Sequence, residues 1–341
     1  MRAALLLGLG GEDQIEVRND VPLPSIAPGQ VLVRIRAAAV NNTDLNLRTG
    51  WYSKDAQSAA DAAGDAGWKG NALAFPRIQG ADGCGEIAAV GAGGDAGRIG
   101  ERVLIDPILR DPDGSTRYFG SDCDGAFAEF AVVPATNAAA VRSRLTDAEL
   151  ASFPCSYTAA ENMLARANVT AGENVLVTGA SGGVGSAAVQ LARRRGARVI
   201  AISSSAKAEA VLRLGAERVL GRDADLRKEL GAESLEAVID VSGGPMFVQF
   251  LEVLRPRGRY ATAGAIAGAH VTLDLRSLYL KDITMFGCTI PDPGIFAQLI
   301  GYIERGEIRP LVSATYPLEQ IVEAQRAFAA KGHVGKIVIV P

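Results

Sequence analysis

The chain has 341 residues, of which 48% are hydrophobic and 21% charged. That length suggests about two domains, and the apolar content excludes a mainly disordered protein. Lysine and arginine total 35 against 38 acids, a net charge of −3, so no nucleic-acid partner that needs many phosphates neutralised is expected. The four cysteines, Cys84, Cys123, Cys155 and Cys288, never come as a close pair, which excludes a disulfide framework and paired-cysteine zinc knuckles. Only two histidines occur, His270 and His333. The preceding residues therefore hold no imidazole for a triad, a proton relay or a metal, and no nucleophile-elbow pattern accompanies either one.

In chain order, the opening MRAALLLGLGGEDQ is too short for a membrane span, and Glu12 and Asp13 follow it closely. A strand explains it better than a signal peptide, and the expected setting is a soluble protein of the reducing cytoplasm with no membrane partner. The first 135 or so residues read as strands and turns. Residues 30–40 alternate apolar and polar side chains and then become wholly small and apolar, while 83–91, 102–105 and 127–133 are further β-rich runs. Gly, Pro and Asp clusters separate them, which suggests a folded-over, barrel-like β domain. Residues 55–70, DAQSAADAAGDAGWKG, read as a mobile surface lobe that helps to shape a substrate pocket.

From Glu173 the rhythm changes. Strands are expected at 174–178, 198–202, 238–241, 259–263 and 283–286. A helix at 184–195, another from Lys207 and later helical stretches lie between most of them, the pattern of a parallel sheet covered on both faces. The tail gives a helix at 318–330 and a closing strand at 336–340. The basic run Arg193 to Arg195 precedes Gly196 and reads as a solvated helix end.

The strongest signal is NVLVTGASGGVGSAAVQLA at 174–192. An apolar strand runs into Gly179, Ser181, Gly182, Gly183, Val184 and Gly185, and a helix leaves from the last. Glycines there serve a tight turn, a close approach of backbone to pyrophosphate and tight helix–strand packing, and free amides at the helix start meet phosphate. The expected ligand is a dinucleotide. An acid that would hold a ribose 2′-hydroxyl is absent after the second strand, where Ser203, Ser204 and Lys207 stand and Arg222 follows the expected third strand. Hydroxyls and cations accept a 2′-phosphate, which points to NADPH ahead of NADH. The plain alternative for Lys207 is a solvated residue in the first turn of a helix.

With these residues in place the chain resembles the medium-chain dehydrogenase/reductase superfamily, nearest its zinc-free quinone oxidoreductase branch. The resemblance spans nearly the whole length: PGQVLVRI at 28–35, NNTDLNLRTGWY at 41–52, GADGCGEIAAVG at 80–91, DGAFAEF at 124–130, the TGASGGVG turn and the final GKIVIV. It implies an α/β fold: a GroES-like β-barrel catalytic domain plus a Rossmann, doubly wound parallel-sheet cofactor domain, with the nicotinamide in the cleft. The expected boundaries are 1–145 rejoined by 305–341, and 146–304.

Zinc-dependent members of that superfamily hold catalytic zinc with a cysteine before a Thr-Asp pair, a histidine in a Gly-His-Glu block and a later cysteine or acid. Here Asn41 precedes Thr43 and Asp44, Ala81 stands in the histidine position before Asp82, and Cys155 lies near the third. One thiol does not supply three ligands, and residues 91–122 hold no cysteine for a structural zinc, so no metal is expected. Cys155 reads as a small packed residue.

By resemblance, Tyr52 would donate to a substrate carbonyl and Asn41 would orient substrate or nicotinamide; an amphipathic surface role for Tyr52 stays open. Asp44 reads as fixing its loop through backbone hydrogen bonds. Thr158 and Ala159 match a pair near the nicotinamide, and Gly264 and Ala265 follow the fifth strand where backbone approaches cofactor. Lys336 reads either as a cofactor-phosphate contact or as a solvated surface residue. The expected activity is NADPH-dependent, zinc-independent hydride transfer to a small-molecule quinone or activated carbonyl or alkene. Two rivals remain: an enoyl reductase acting on an unsaturated thioester or ketone, and a non-catalytic NADPH-binding redox sensor. A short-chain reductase is excluded, since the glycine turn is not N-terminal and no Tyr-x-x-x-Lys occurs. A homodimer joined near residues 283–289 is expected by analogy.

Overall fold

A computed structural model describes residues 1–53, 64, 67–68 and 71–341. The lobe expected at 55–70 lies outside the described residues apart from these three positions. Two compact units emerge: Met1–Cys155 with Ile303–Arg305 and Arg309–Pro341, and Ser156–Tyr302 with Gly306–Ile308.

In the first unit the organising element is the strand Gln30–Ala39. It pairs antiparallel with Cys84–Val90, Phe130–Pro134 and Lys336–Val340. Its alternating first half shows solvent to one face, and its apolar second half is buried. Register shifts between Leu32 and Val33 and between Ile35 and Ala37 bend it, so one strand serves several partners. The seven-stranded sheet runs Ala138–Ala140, Arg102–Ile105, Cys84–Val90, Gln30–Ala39, Lys336–Val340, Val312–Pro317, with Phe130–Pro134 also on Gln30–Ala39. A smaller sheet orders Ile15–Arg18, Ala3–Leu6 and Arg77–Ile78. Val33, Ile35, Ile87, Phe119, Phe127, Ile337 and Ile339 fill the core between these layers.

The reading of this region as strands and turns alone needs one correction: Asn42–Thr49 is an α-helix. It carries no apolar stripe that periodicity would reveal. It is set by its ends instead, where the Asp44 carboxylate accepts the Asn41 amide at 2.7 Å and Gly50 closes the helix in a left-handed conformation, φ 69°.

The second unit is a six-stranded, wholly parallel sheet in the order Arg218–Leu220, Arg198–Ile202, Asn174–Val177, Leu235–Asp240, Leu254–Thr262, Thr284–Gly287. The chain winds outward from Asn174–Val177 in one direction and then resumes on its other side. This reversal puts a crevice at the carboxyl ends of Asn174–Val177 and Leu235–Asp240, where open α/β sheets bind ligands. The helix Gly183–Arg194 follows the glycine turn directly. The basic run at its end is not solvated throughout: Arg195 forms an ion pair with the buried Glu161 at 2.6 Å, and Arg194 stacks over Tyr302 at 3.5 Å.

Candidate active site

The second unit contains a cradle built by the glycines. Gly179 has φ +56°, a conformation side chains resist, and a Cβ there would meet Val241 at 2.8 Å. At Gly185 a Cβ would lie 2.2 Å from the Gly179 carbonyl oxygen, so the helix packs on the turn with no room for a methyl group. Gly182 is the N-cap residue, and Gly183, Val184 and Gly185 form the first helical turn, whose amides have no partners earlier in the helix. Ser181 is buried beside them. The opposite wall is tied down by Asp240, which accepts hydrogen bonds from Thr178 Oγ1 (2.6 Å), the Ser242 amide (2.9 Å) and the Tyr260 hydroxyl (2.6 Å). Gly264 closes onto this wall, since a Cβ there would stand 2.7 Å from the Val241 carbonyl oxygen. Ala265 follows it.

Two buried polar atoms in this unit have hydrogen-bonding capacity to offer a ligand. Ser203 Oγ and Thr158 Oγ1 are both buried and find no hydrogen-bond partner among the described residues. Ser203 and Ser204 directly follow the strand Arg198–Ile202, and the Ser203 amide donates to the Leu220 carbonyl of the next strand at 3.0 Å. Partial burial and the neighbouring charge of Arg222 pull the Lys207 ammonium below its ordinary pKa. Lys207 and Arg222 therefore form a local pair of like charges beside the two serines, an arrangement that an incoming dianion relieves.

The first unit carries a second cluster. Asn41, buried at the start of the helix Asn42–Thr49, donates from Nδ2 to Asp82 Oδ2 at 2.8 Å and to the Ala39 carbonyl at 3.2 Å. Lys336 Nζ donates to the same Asp82 oxygen at 3.0 Å and to Asn41 Oδ1. Asp82 Oδ1 accepts the Cys155 amide at 2.6 Å. The solvated reading of Lys336 is corrected by its burial. Its side chain is 3% exposed, not solvated, and its ammonium is engaged by Asp82 and Asn41. Asp44 accepts the amides of Asn41 (2.7 Å) and Gly80 (3.2 Å), the loop-fixing role expected of it. Burial pushes its carboxyl up to about 7, with Asp82 adding to the rise and Lys336 opposing it.

Tyr52 is half-buried and donates to Thr43 Oγ1 at 3.3 Å; burial raises its pKa, so the phenol stays protonated and able to donate. Cys155 Sγ lies 3.0 Å from the Tyr118 hydroxyl, and burial pushes the thiol up to about 12. Trp68 stacks on Tyr118 with ring centroids 4.3 Å apart. Among the described residues no group of three His, Cys, Asp or Glu is placed to hold a metal ion. The structure thus divides the sequence-predicted residues between two places: Asn41, Asp44, Tyr52, Cys155 and Lys336 in the first unit, and the other cofactor candidates in the second. Sequence reasoning missed Asp82, Tyr118 and Asp240 as participants, because their roles lie in long-range hydrogen bonds that no local motif announces.

No described helix is long and apolar enough to cross a membrane. Two family models match the chain, an alcohol dehydrogenase GroES-like domain over residues 27–143 and a zinc-binding dehydrogenase domain over 183–305. An acryloyl-coenzyme A reductase of Metallosphaera sedula is 30% identical, with 97% of each chain covered. The human quinone oxidoreductase is 26% identical over 99% of this chain and 97% of its own. A crystal structure provisionally assigned as an alcohol dehydrogenase from Sinorhizobium meliloti 1021 superposes with a TM-score of 0.93 at 46% identity, covering 100% of this chain and 96% of that one. With both halves of the fold matched, the chain belongs to the medium-chain dehydrogenase/reductase superfamily of oxidoreductases, a GroES-like domain joined to a Rossmann-type domain.

Proposed function

We propose that the protein is an NADPH-dependent reductase that works without catalytic zinc and delivers a hydride to a quinone or an activated carbonyl or alkene. The observation that carries this reading is the cradle of the second unit, where a glycine turn with no room for side chains opens onto Ser203, Ser204, Lys207 and Arg222. When bound there, the coenzyme supplies the hydride. Gly179 to Gly185 would hold its pyrophosphate through backbone amides, and Ser203 Oγ with the two cations would take the 2′-phosphate. Thr158 Oγ1, Gly264 and Ala265 would line the rest of its site.

The donor set of the first unit does not fit a catalytic zinc. An amide at Asn41 and a methyl at Ala81 stand where two of the superfamily's metal ligands would be, and the single thiol of Cys155 cannot supply the three ligands that a catalytic zinc needs. Charge that develops on the reduced oxygen or carbon would instead be met by hydrogen bonding, with Tyr52 as donor and Asn41 as a fixed amide. We place the reaction in the first unit on this account, and a homodimer through the edge strand Thr284–Gly287 accompanies it by analogy.

A second reading, reduction of an α,β-unsaturated thioester or ketone, is favoured by the acryloyl-coenzyme A reductase similarity and by the proton that such a reaction draws from a donor such as Tyr52. The test is NADPH and NADH oxidation across quinones, enones, enoyl thioesters and aldehydes, with metal analysis of the same sample. NADPH-specific turnover with no stoichiometric metal supports the proposal. Tight NADPH binding without turnover of any acceptor replaces it with a sensor, and zinc at one per chain overturns the metal-free reading.

A further inference from the structure

We infer that Lys336 is the resident cation of the Asn41–Asp82 cluster, a positioning residue whose ammonium fixes both side chains and closes the cluster to a divalent metal. Lysine is almost never fully buried unless it is paired. Here the first residue of the closing strand Lys336–Val340 turns its ammonium inward, to a carboxylate that is itself 0% exposed. Asp82 Oδ2 receives both Lys336 Nζ at 3.0 Å and Asn41 Nδ2 at 2.8 Å, while Asn41 Oδ1 faces the ammonium. The three groups form a closed triangle with one allowed orientation. Flipping the Asn41 amide would point its NH2 at the ammonium and its oxygen at the carboxylate, replacing two attractive contacts by two repulsive ones.

The hold extends further. The second oxygen of Asp82 accepts the Cys155 amide at 2.6 Å, so the charge pair also sets the backbone at Cys155. Asn41 and Ala81 stand at two of the metal-ligand positions by resemblance and Cys155 lies near the third, and the ammonium is bonded to Asn41 and to Asp82, the residue after Ala81. A doubly charged ion about 4 Å from a fixed ammonium is disfavoured by about 30-fold even at the screening of bulk water. The disagreement with a zinc site is therefore one of charge as well as of missing ligands: the position is already filled by a cation of the chain itself.

The experiment uses the full chain and Lys336→Ala, with ethylammonium and zinc ion as probes and thermal midpoint and calorimetric binding as readouts. Lys336→Ala is expected to melt lower, to regain most of the loss in ethylammonium but not in tetramethylammonium, which has no N–H to donate, and to raise by about 30-fold whatever weak affinity the incomplete ligand set has for zinc. Lys336→Ala/Asp82→Asn, with both charges removed, is expected to respond to neither probe. A Lys336→Ala chain that folds only with ethylammonium gives the same support. One that folds and ignores both cations, or that ethylammonium fails to fold, overturns the inference. The positioning role rests on the reduction reading and has its own readout: the double variant is expected to lose kcat by about 10-fold or more at unchanged NADPH affinity. Parent-level turnover in that folded, charge-neutral variant would leave Lys336 a structural residue. If the parent chain reduces no acceptor, the reduction reading falls, and the cation measurements still decide the occupancy of the cluster.

Discussion

Gly185→Ala tests the dinucleotide cradle most directly. The added Cβ would stand 2.2 Å from the Gly179 carbonyl oxygen, 2.6 Å from its carbon and 2.8 Å from Ala180 Cα. All three are backbone atoms of the turn itself, so no flexible side chain can swing aside. Forcing a methyl group into a packed site costs about 1–3 kcal/mol. The strain is relieved by lifting the helix Gly183–Arg194 off the turn, which spreads the amides that would face phosphate. If relief comes wholly in this way, NADPH binding weakens by about 5- to 160-fold at 1.36 kcal/mol per decade. Gly182→Ala is the paired measurement. Its Cβ would meet nothing closer than the Gly179 oxygen at 3.4 Å, and Gly182 has φ −84°, so the protein alone tolerates it. Fluorescence titration with NADPH and urea unfolding on both variants separate the effects. Gly185→Ala is expected to lose both affinity and stability, whereas Gly182→Ala loses affinity alone, because its methyl meets only the arriving phosphate. A Gly185→Ala chain that binds NADPH as tightly as the parent would refute the reasoning.

Lys207→Ala/Arg222→Ala removes both cations beside Ser203; losing about 1.5 kcal/mol for each charged hydrogen bond is expected to lower NADPH affinity about 160-fold and to leave NADH binding unchanged, as titration with both coenzymes would reveal. Tyr52→Phe is expected to cut enone turnover by about 100-fold or more, the usual scale of a lost proton donor, and quinone turnover less; equal activity on both acceptors would end the donor role. For Asp44 the sign follows from a folded pKa of about 7 against an ordinary aspartate value of 3.8. A carboxyl whose pKa rises on folding contributes most below its unfolded pKa, and that contribution is lost as pH rises through the folded one. The stability advantage of the parent over Asp44→Asn should therefore be larger at pH 5 than at pH 8 in urea unfolding, and a difference that grows with pH would contradict the assignment. Tyr260→Phe withdraws a 2.6 Å donor from the fully buried Asp240. It should cost about 1–3 kcal/mol, read as a lowered thermal midpoint.

Elements whose pattern is local were legible in the sequence. The alternation from Gln30 onward, the glycine turn and the closing strand Lys336–Val340 appear within a residue or two of where they were expected, because each is set by side-chain period or by backbone freedom over a short window. The helix Asn42–Thr49 escaped because its stability comes from the two ends and from burial of Thr43, Asp44, Leu47 and Arg48, of which only Leu47 is apolar. Arg195 escaped for a related reason. Its partner Glu161 lies 34 residues earlier, and a basic run read by itself looks solvated.

The same limit explains the Lys336 cluster, and it says what kind of site this is. Lys336 lies 295 residues from Asn41 and 254 from Asp82, and the pairing of both Lys336–Val340 and Cys84–Val90 with Gln30–Ala39 brings them together. Buried charge pairs are poor devices for stability, since well-packed apolar residues of similar volume often do as well or better. A fold whose surrounding core is already filled by Val, Ile and Phe has no need of an ammonium, two carboxylates and an amide at its centre. Places where polar chemistry overrides packing preference are where function is expected. The local cost of Lys336, Asp82, Asn41 and Asp44 is thus better explained by what they hold in register around Cys155 and the Tyr52 loop than by the strength of the barrel.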